Sequence, residues 1–220
     1  MSFLPGMFPG AFYSESATLV SSIAYEGATT STATAGTITG YSGILPGDLL
    51  VLYDYVSSIS VPPEVAPSGF AIAASLLNVK FRWTLSYKIA DGSEASASLT
   101  GMTTGSGSFA NKILLCFRPD IPATSAVSAD PDATITDANP SAQTVTASGG
   151  TAPLIVFGCY ASTGAVNPRT MSPAKDGEMS SGTSFYVAWK IYNSSPADVS
   201  VDMDDEGNNN MLMSCYIEVA

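Results

Sequence analysis

Three cysteines, nineteen carboxylates and eight basic side chains, with no histidine, are what this 220-residue chain offers for chemistry. Without an imidazole, a serine lacks its usual general base and a metal ion its commonest ligand. Cys116, Cys159 and Cys215 lie in the apolar runs ILLCF, IVFGCY and LMSCYI. That setting suits buried thiols acting as small hydrophobes; an odd count with no CxxC spacing argues against a disulfide framework or a zinc site. Asp202, Asp204, Asp205 and Glu206, followed by Gly207 and Asn208–Asn210, gather the oxygen ligands that calcium prefers. An EF-hand would then need Glu at its twelfth position, where Met213 stands, so the reading is an acidic hairpin tip. A glycosidase needs two carboxylates across a cleft; Asp54, Glu64 and Glu94 are present, but no spacing pairs them. Trp83, Trp189, Tyr53, Tyr55, Tyr87 and Tyr160 fall mostly in apolar phase, as core aromatics do, whereas Tyr186 and Tyr192 fall out of phase, as surface rings for stacking on sugars would. The expectation is no enzyme: no catalytic residue, no cofactor and no metal.

These residues must be positioned by strands. Val79–Leu99 alternates Phe81, Trp83, Leu85, Tyr87 and Ile89 with polar neighbours, turns at Asp91-Gly92 and alternates again through Ala95, Ala97 and Leu99. Thr183–Met203 repeats the pattern with Phe185, Val187, Trp189 and Ile191, then Val199, Val201 and Met203. A period of two gives each strand one apolar face, and both segments read as hairpins. Leu49–Val56 and Pro153–Ala161 are apolar on both faces and read as central strands. Ser16–Tyr25 reads as a strand, Gly27–Gly36 as a connector, Ala133–Thr136 and Gln143–Ala147 as weak strands, and Val166–Gly182 as a loop. No helical period appears. Eleven or twelve short strands predict an all-β, sandwich or jelly-roll-like fold.

The halves also match in order. Gly47–Tyr53 corresponds to Thr151–Phe157, Tyr87-Lys88-Ile89 to Trp189-Lys190-Ile191, and Leu115-Cys116-Phe117 to Ser214-Cys215-Tyr216. This predicts an internal repeat of about 100 residues, within the usual domain size. Arg118–Ala126, with Pro119 and Pro122 and no period, is the linker candidate. The expected layout is an apolar arm over 1–13, one β-sandwich module over 14–120 and a second over 121–220. In the arm, Phe3, Leu4, Met7, Phe8 and Phe12 are the expected assembly contacts, and Pro5 and Pro9 deny it a helix.

The formal charge of −11 repels phosphate backbones and argues against nucleic-acid binding. Charged residues make up only 12 %. The opening segment has no basic signal region, and no apolar run reaches the roughly 18 residues of a membrane helix.

Four strings carry a resemblance: GDLLVLYDY, a Pro-rich stretch ending in PSGF, LSYKIADGSEASASLTG and ILLCFRPDIPA. Together they cover about Leu45–Ala123 and resemble structural proteins of tailed-bacteriophage virions. Those proteins typically show a buried GDLLVL strand, a P-x-G-W/F turn, a YK-A-DGSE hairpin and an AILAFRG strand. The opening MSFLPGMFPG is similar to the start of small virion proteins, while Phe70 replaces the commoner Trp and Arg118-Pro119-Asp120 departs from the pattern. The resemblance implies a virion component assembled in the host cytoplasm. Its partners would be further copies of itself, a trimer among the options, with a major capsid protein or tail proteins, and neither nucleic acid nor membrane. Capsid decoration is the preferred role; a tail or fibre component, or a carbohydrate-recognition module at a receptor-binding tip, is the alternative.

Overall fold

A computed structural model describes residues 19–32, 36–57, 61–79, 81–102, 110–136, 140–162, 169–203 and 210–220. The expected arm, with Phe3, Leu4, Met7, Phe8 and Phe12, lies outside the described residues, as do Asp204, Asp205 and Glu206. The described strands are, in order, β1 (Ile23–Ser31), β2 (Thr37–Thr39), β3 (Leu49–Ser57), β4 (Ala71–Asn78), β5 (Phe81–Ile89), β6 (Ser98–Thr100), β7 (Ala110–Pro119), β8 (Ala126–Thr136), β9 (Gln143–Val145), β10 (Leu154–Ala161), β11 (Arg169–Ser172), β12 (Gly177–Ser180), β13 (Phe185–Tyr192), β14 (Val199–Met203) and β15 (Asn210–Val219). All described pairings are antiparallel. The fold is all-β.

Two five-stranded sheets form the interior, with orders β1-β7-β3-β5-β4 and β12-β13-β10-β15-β8. Their inner faces share the largest apolar cluster, to which Leu49, Val51, Tyr53, Leu85, Leu115 and Phe117 contribute from the first sheet and Ile155, Phe157, Phe185, Val187, Trp189 and Cys215 from the second. Rings interlock across the gap: Tyr53 stacks on Phe185 at 4.1 Å, and Phe117 meets Trp189 edge-on at 5.6 Å. On the outer face of the first sheet, Leu50, Leu52, Leu114 and Cys116 pack with Ile38 and Leu99 of the small β2-β6 sheet. On the outer face of the second, Leu154, Val156, Tyr160 and Leu212 pack with Val145, Met171, Val199 and Val201 of the β11-β14-β9 sheet. The result is four stacked β layers. Strict alternation explains it, since both faces of β3 and β10 must find cover.

The segments expected as hairpins are not hairpins. β5 pairs with β3 and β4, whereas β6 pairs with β2 in the outer layer. Likewise β13 pairs with β10 and β12, whereas β14 pairs with β11 and β9. Each expected turn is instead a corner that carries the chain from an inner sheet to an outer one. Period-two alternation reports which face is buried and is blind to which strand lies alongside. Other boundaries move too. β1 begins at Ile23 and runs through Ser31, so part of the Thr/Ala-rich connector is an edge strand on β7. Arg118 and Pro119 belong to β7, and Ala126 opens the eleven-residue β8, which leaves 120–125 as the connection. Asp130 and Pro131 sit at the register shift between β8 and β15, with Asp130 at φ +51°, so a turn-like sequence is absorbed as a bulge in an edge strand. β11 and β12 lie in the expected 166–182 loop. Cys215 faces the inner cluster and Cys116 an outer one, so the cysteine match between the halves is one residue out of phase.

Candidate functional site

Where the two inner sheets part, at the end of the sandwich marked by Tyr55, Asn111 and Ala161, a cleft of about 350 Å³ opens between them. β3 and β5 present Tyr55, Phe81 and Trp83, β7 presents Asn111, and the β12–β13 turn presents Ser181–Phe185. The aromatic wall is ordered by cross-strand pairing, since Tyr55 is the register partner of Trp83 on one side and Asn111 on the other. Tyr55 stacks on Trp83 at 5.2 Å and on Phe81 at 6.2 Å. Ser181 Oγ donates to Asn111 Oδ1 at 3.1 Å and ties the second sheet's turn to the first sheet. Burial pushes the Tyr55 phenol up to about 12, so it stays a neutral donor at ordinary pH. Trp83 and Phe185 are buried as the sequence phase requires, while Tyr55 and Phe81 are only partly covered. The cleft can hold apolar or aromatic groups and offers hydroxyl and amide contacts at its rim.

The carboxylates do not converge on this cleft. Asp54 faces Lys112 on the outer side of the first sheet, with Oδ1 3.5 Å from the ammonium. Desolvation raises the Asp54 carboxyl to about 6, against the pull of Lys112. Glu94 is buried beside the Lys88 ammonium and also accepts from Gly92 N–H at 3.1 Å. Glu64 is an exposed partner of Arg82 at 3.7 Å. Each of the three has its own cation, so no acid–base pair forms from them. Among the described residues no cluster of three metal-ligating side chains occurs, and Asp202 uses Oδ1 to accept from Met203 N–H. The sequence contains a Ser-x-x-Lys spacing known from acyl transfer, Ser172-Pro173-Ala174-Lys175, which corrects the expectation that this motif is absent. Ser172 is exposed, and Lys175 is held 2.6 Å from Glu178.

All three thiols are buried and unpaired in disulfides. Burial, and then the Asp48 charge, push Cys116 far up, and burial does the same to Cys159. None is a poised nucleophile. Tyr186 and Tyr192, expected at the surface, are half-buried against the outer cluster, and Arg169 covers the Tyr186 ring at 3.7 Å.

The four resemblance strings converge on the opposite end of the first sheet. Arg118 Nε and Nη2 donate to the two oxygens of the buried Asp48, at 2.9 and 2.8 Å, and Nη1 donates to Glu26 at 3.1 Å. Asp48 Oδ2 also accepts Leu45 N–H at 2.8 Å. Lys88 bridges Asp91 and Glu94. Hydrogen bonds from Ser93, then Lys88, hold the Asp91 carboxyl well below the usual range. Gly47 adopts φ +87° and packs so tightly on Pro122 that a Cβ would stand 2.5 Å from its Cα. Gly69, at φ +82°, closes the turn in which Phe70 N–H bonds Pro67 O at 3.0 Å, and Phe70 packs under the β2-β6 sheet. Compared with protein-family models, curated proteins and solved structures, the chain matches none.

Proposed function

We propose that this chain is a non-enzymatic structural protein of a tailed-phage virion, acting as a capsid decoration protein that stabilises the head through contacts between copies. One observation carries the reading. The strings that resemble virion proteins are occupied with one another, in the Asp48–Arg118 fork, the Lys88–Asp91–Glu94 cluster and the Gly47 and Gly69 turns, which is the work of a scaffold. The shared strand order supports reading the halves as diverged copies: β1-β7-β3-β5-β4 maps onto β8-β15-β10-β13-β12 term by term. A trimer of such a chain would offer six similar units to a six-fold lattice position. Mass spectrometry of purified particles tests the proposal. Hundreds of copies per particle support decoration, a handful would move the protein to the tail, and its absence from particles refutes both.

A further inference from the structure

We propose that the cleft between the inner sheets is a socket for the apolar opening segment, Met1–Phe12, of a second copy, which makes the contact between copies head-to-tail. The inference rests on the assembly reading above and names its contact. Three observations lead to it. The cleft is walled by Tyr55, Phe81, Trp83 and Phe185, and its volume is about 350 Å³. An apolar cavity of about 150 Å³ already accepts a benzene ring, so one or two large side chains fit. The segment supplies such side chains in Phe3, Leu4, Met7, Phe8 and Phe12.

The third observation is direction. The chain enters β1 at Ile23, opposite Pro119, and β1 then runs toward Ser31, opposite Lys112. The cleft lies at the Asn111 end, so the opening segment joins the body at the far end from it. That end is fastened: Val20 is in the inner core, and Asp120 accepts from Ser21 N–H at 3.0 Å and from Ser21 Oγ. Along β3 the two ends are separated by roughly 20 Å. A segment that leaves one end and fills a socket at the other repeats from copy to copy, and such a heterologous contact closes into a ring when the rotation permits.

The test uses the full chain and two variants. One carries Phe3→Asp, Phe8→Asp and Phe12→Asp; the other carries Ser184→Trp, which fills the cleft from its partly exposed rim. Native mass spectrometry should give an oligomer for the unmodified chain and monomers for each variant, with unchanged far-ultraviolet circular dichroism showing that each variant is folded. Mixed one to one, the variants should form a heterodimer, because one good segment then meets one good socket. A synthetic Met1–Phe12 peptide should bind the segment variant and not the Ser184→Trp variant, as read by titration calorimetry. If both variants still assemble, the segment does not occupy the cleft, and the decoration reading stands untouched. Monomeric variants that give no heterodimer on mixing would show that segment and cleft do not meet across copies and overturn the inference. An unmodified chain that stays monomeric also overturns it, while particle copy number decides the decoration reading separately. Should Ser184→Trp fail that folding check, the exposed Thr183→Trp makes the same decision.

Discussion

Asp54 and Lys112 are the clearest case in which two residues set a property of the whole protein. They face each other across β3 and β7 at 5 % and 0 % exposure. A carboxyl raised to about 6 keeps its proton in the folded chain over a range in which the unfolded chain has lost it. Stability therefore falls as pH rises from about 4 to about 6 and is level above, by on the order of 2–3 kcal/mol from this group. Asp91, Asp120 and Asp198 are shifted downward by hydrogen bonds, so their contribution is lost as pH falls below the ordinary carboxylate range. A stability maximum near pH 4–5 is expected from urea unfolding. Replacing the pair together, Asp54→Leu with Lys112→Met, should abolish the decline above pH 4 and leave neutral-pH stability equal or higher. Parallel pH curves for the two proteins would refute this. At the other end of the same sheet, Asp48→Ala strands the Arg118 fork and Leu45 N–H, and should cost about 3 kcal/mol by the same measurement.

At the scale of elements, the true hairpin of the first sheet is β4–β5, closed through Val79 at φ +47°. A β-branched side chain in the left-handed region is strained by about 1–2 kcal/mol, and Val79 is 71 % exposed, so little burial offsets it. Val79→Gly should raise the melting temperature, corresponding to a gain of about 1 kcal/mol; an unchanged or lower value would mean that the turn relaxes elsewhere. This hairpin is hard to read in the sequence, because Asn78 is the one turn-favouring residue in Asn78-Val79-Lys80 and no Gly or Pro accompanies it. The Asp91-Gly92 signal is strong and marks a real change of direction, but one that leads to another layer. The phases of Trp83, Leu85, Val187 and Trp189 are legible, because a buried sheet face imposes period two on any strand that lines it. β8 is obscured by Asp130-Pro131-Asp132, which breaks the pattern and also keeps an edge strand from adding neighbours. The cleft is not legible at all. Its aromatic residues read as core, which several are, and a gap depends on where two sheets diverge rather than on any one strand's composition.

The whole molecule rests on the layer between the inner sheets. Most of the largest side chains of β3, β5, β7, β10, β13 and β15 point into it, from both halves of the chain. Expressed separately, 1–120 and 121–220 would each leave this face open to water, so each should aggregate or pair through it, whereas the full chain should unfold in one cooperative step. Half-chains that stay monomeric and melt sharply would contradict this. Truncating one ring in the layer, as in Phe117→Ala, should cost about 3–5 kcal/mol, read out as a shifted denaturant midpoint with an unchanged slope.

The outer layers differ: two short strands, β2 and β6, cover one side and three, β9, β14 and β11, cover the other. A building block that is nearly symmetric inside yet has an unlike top and bottom carries a built-in arrow. Its two outer faces are therefore different surfaces, and a substitution on one is separated from the other by the whole inner layer.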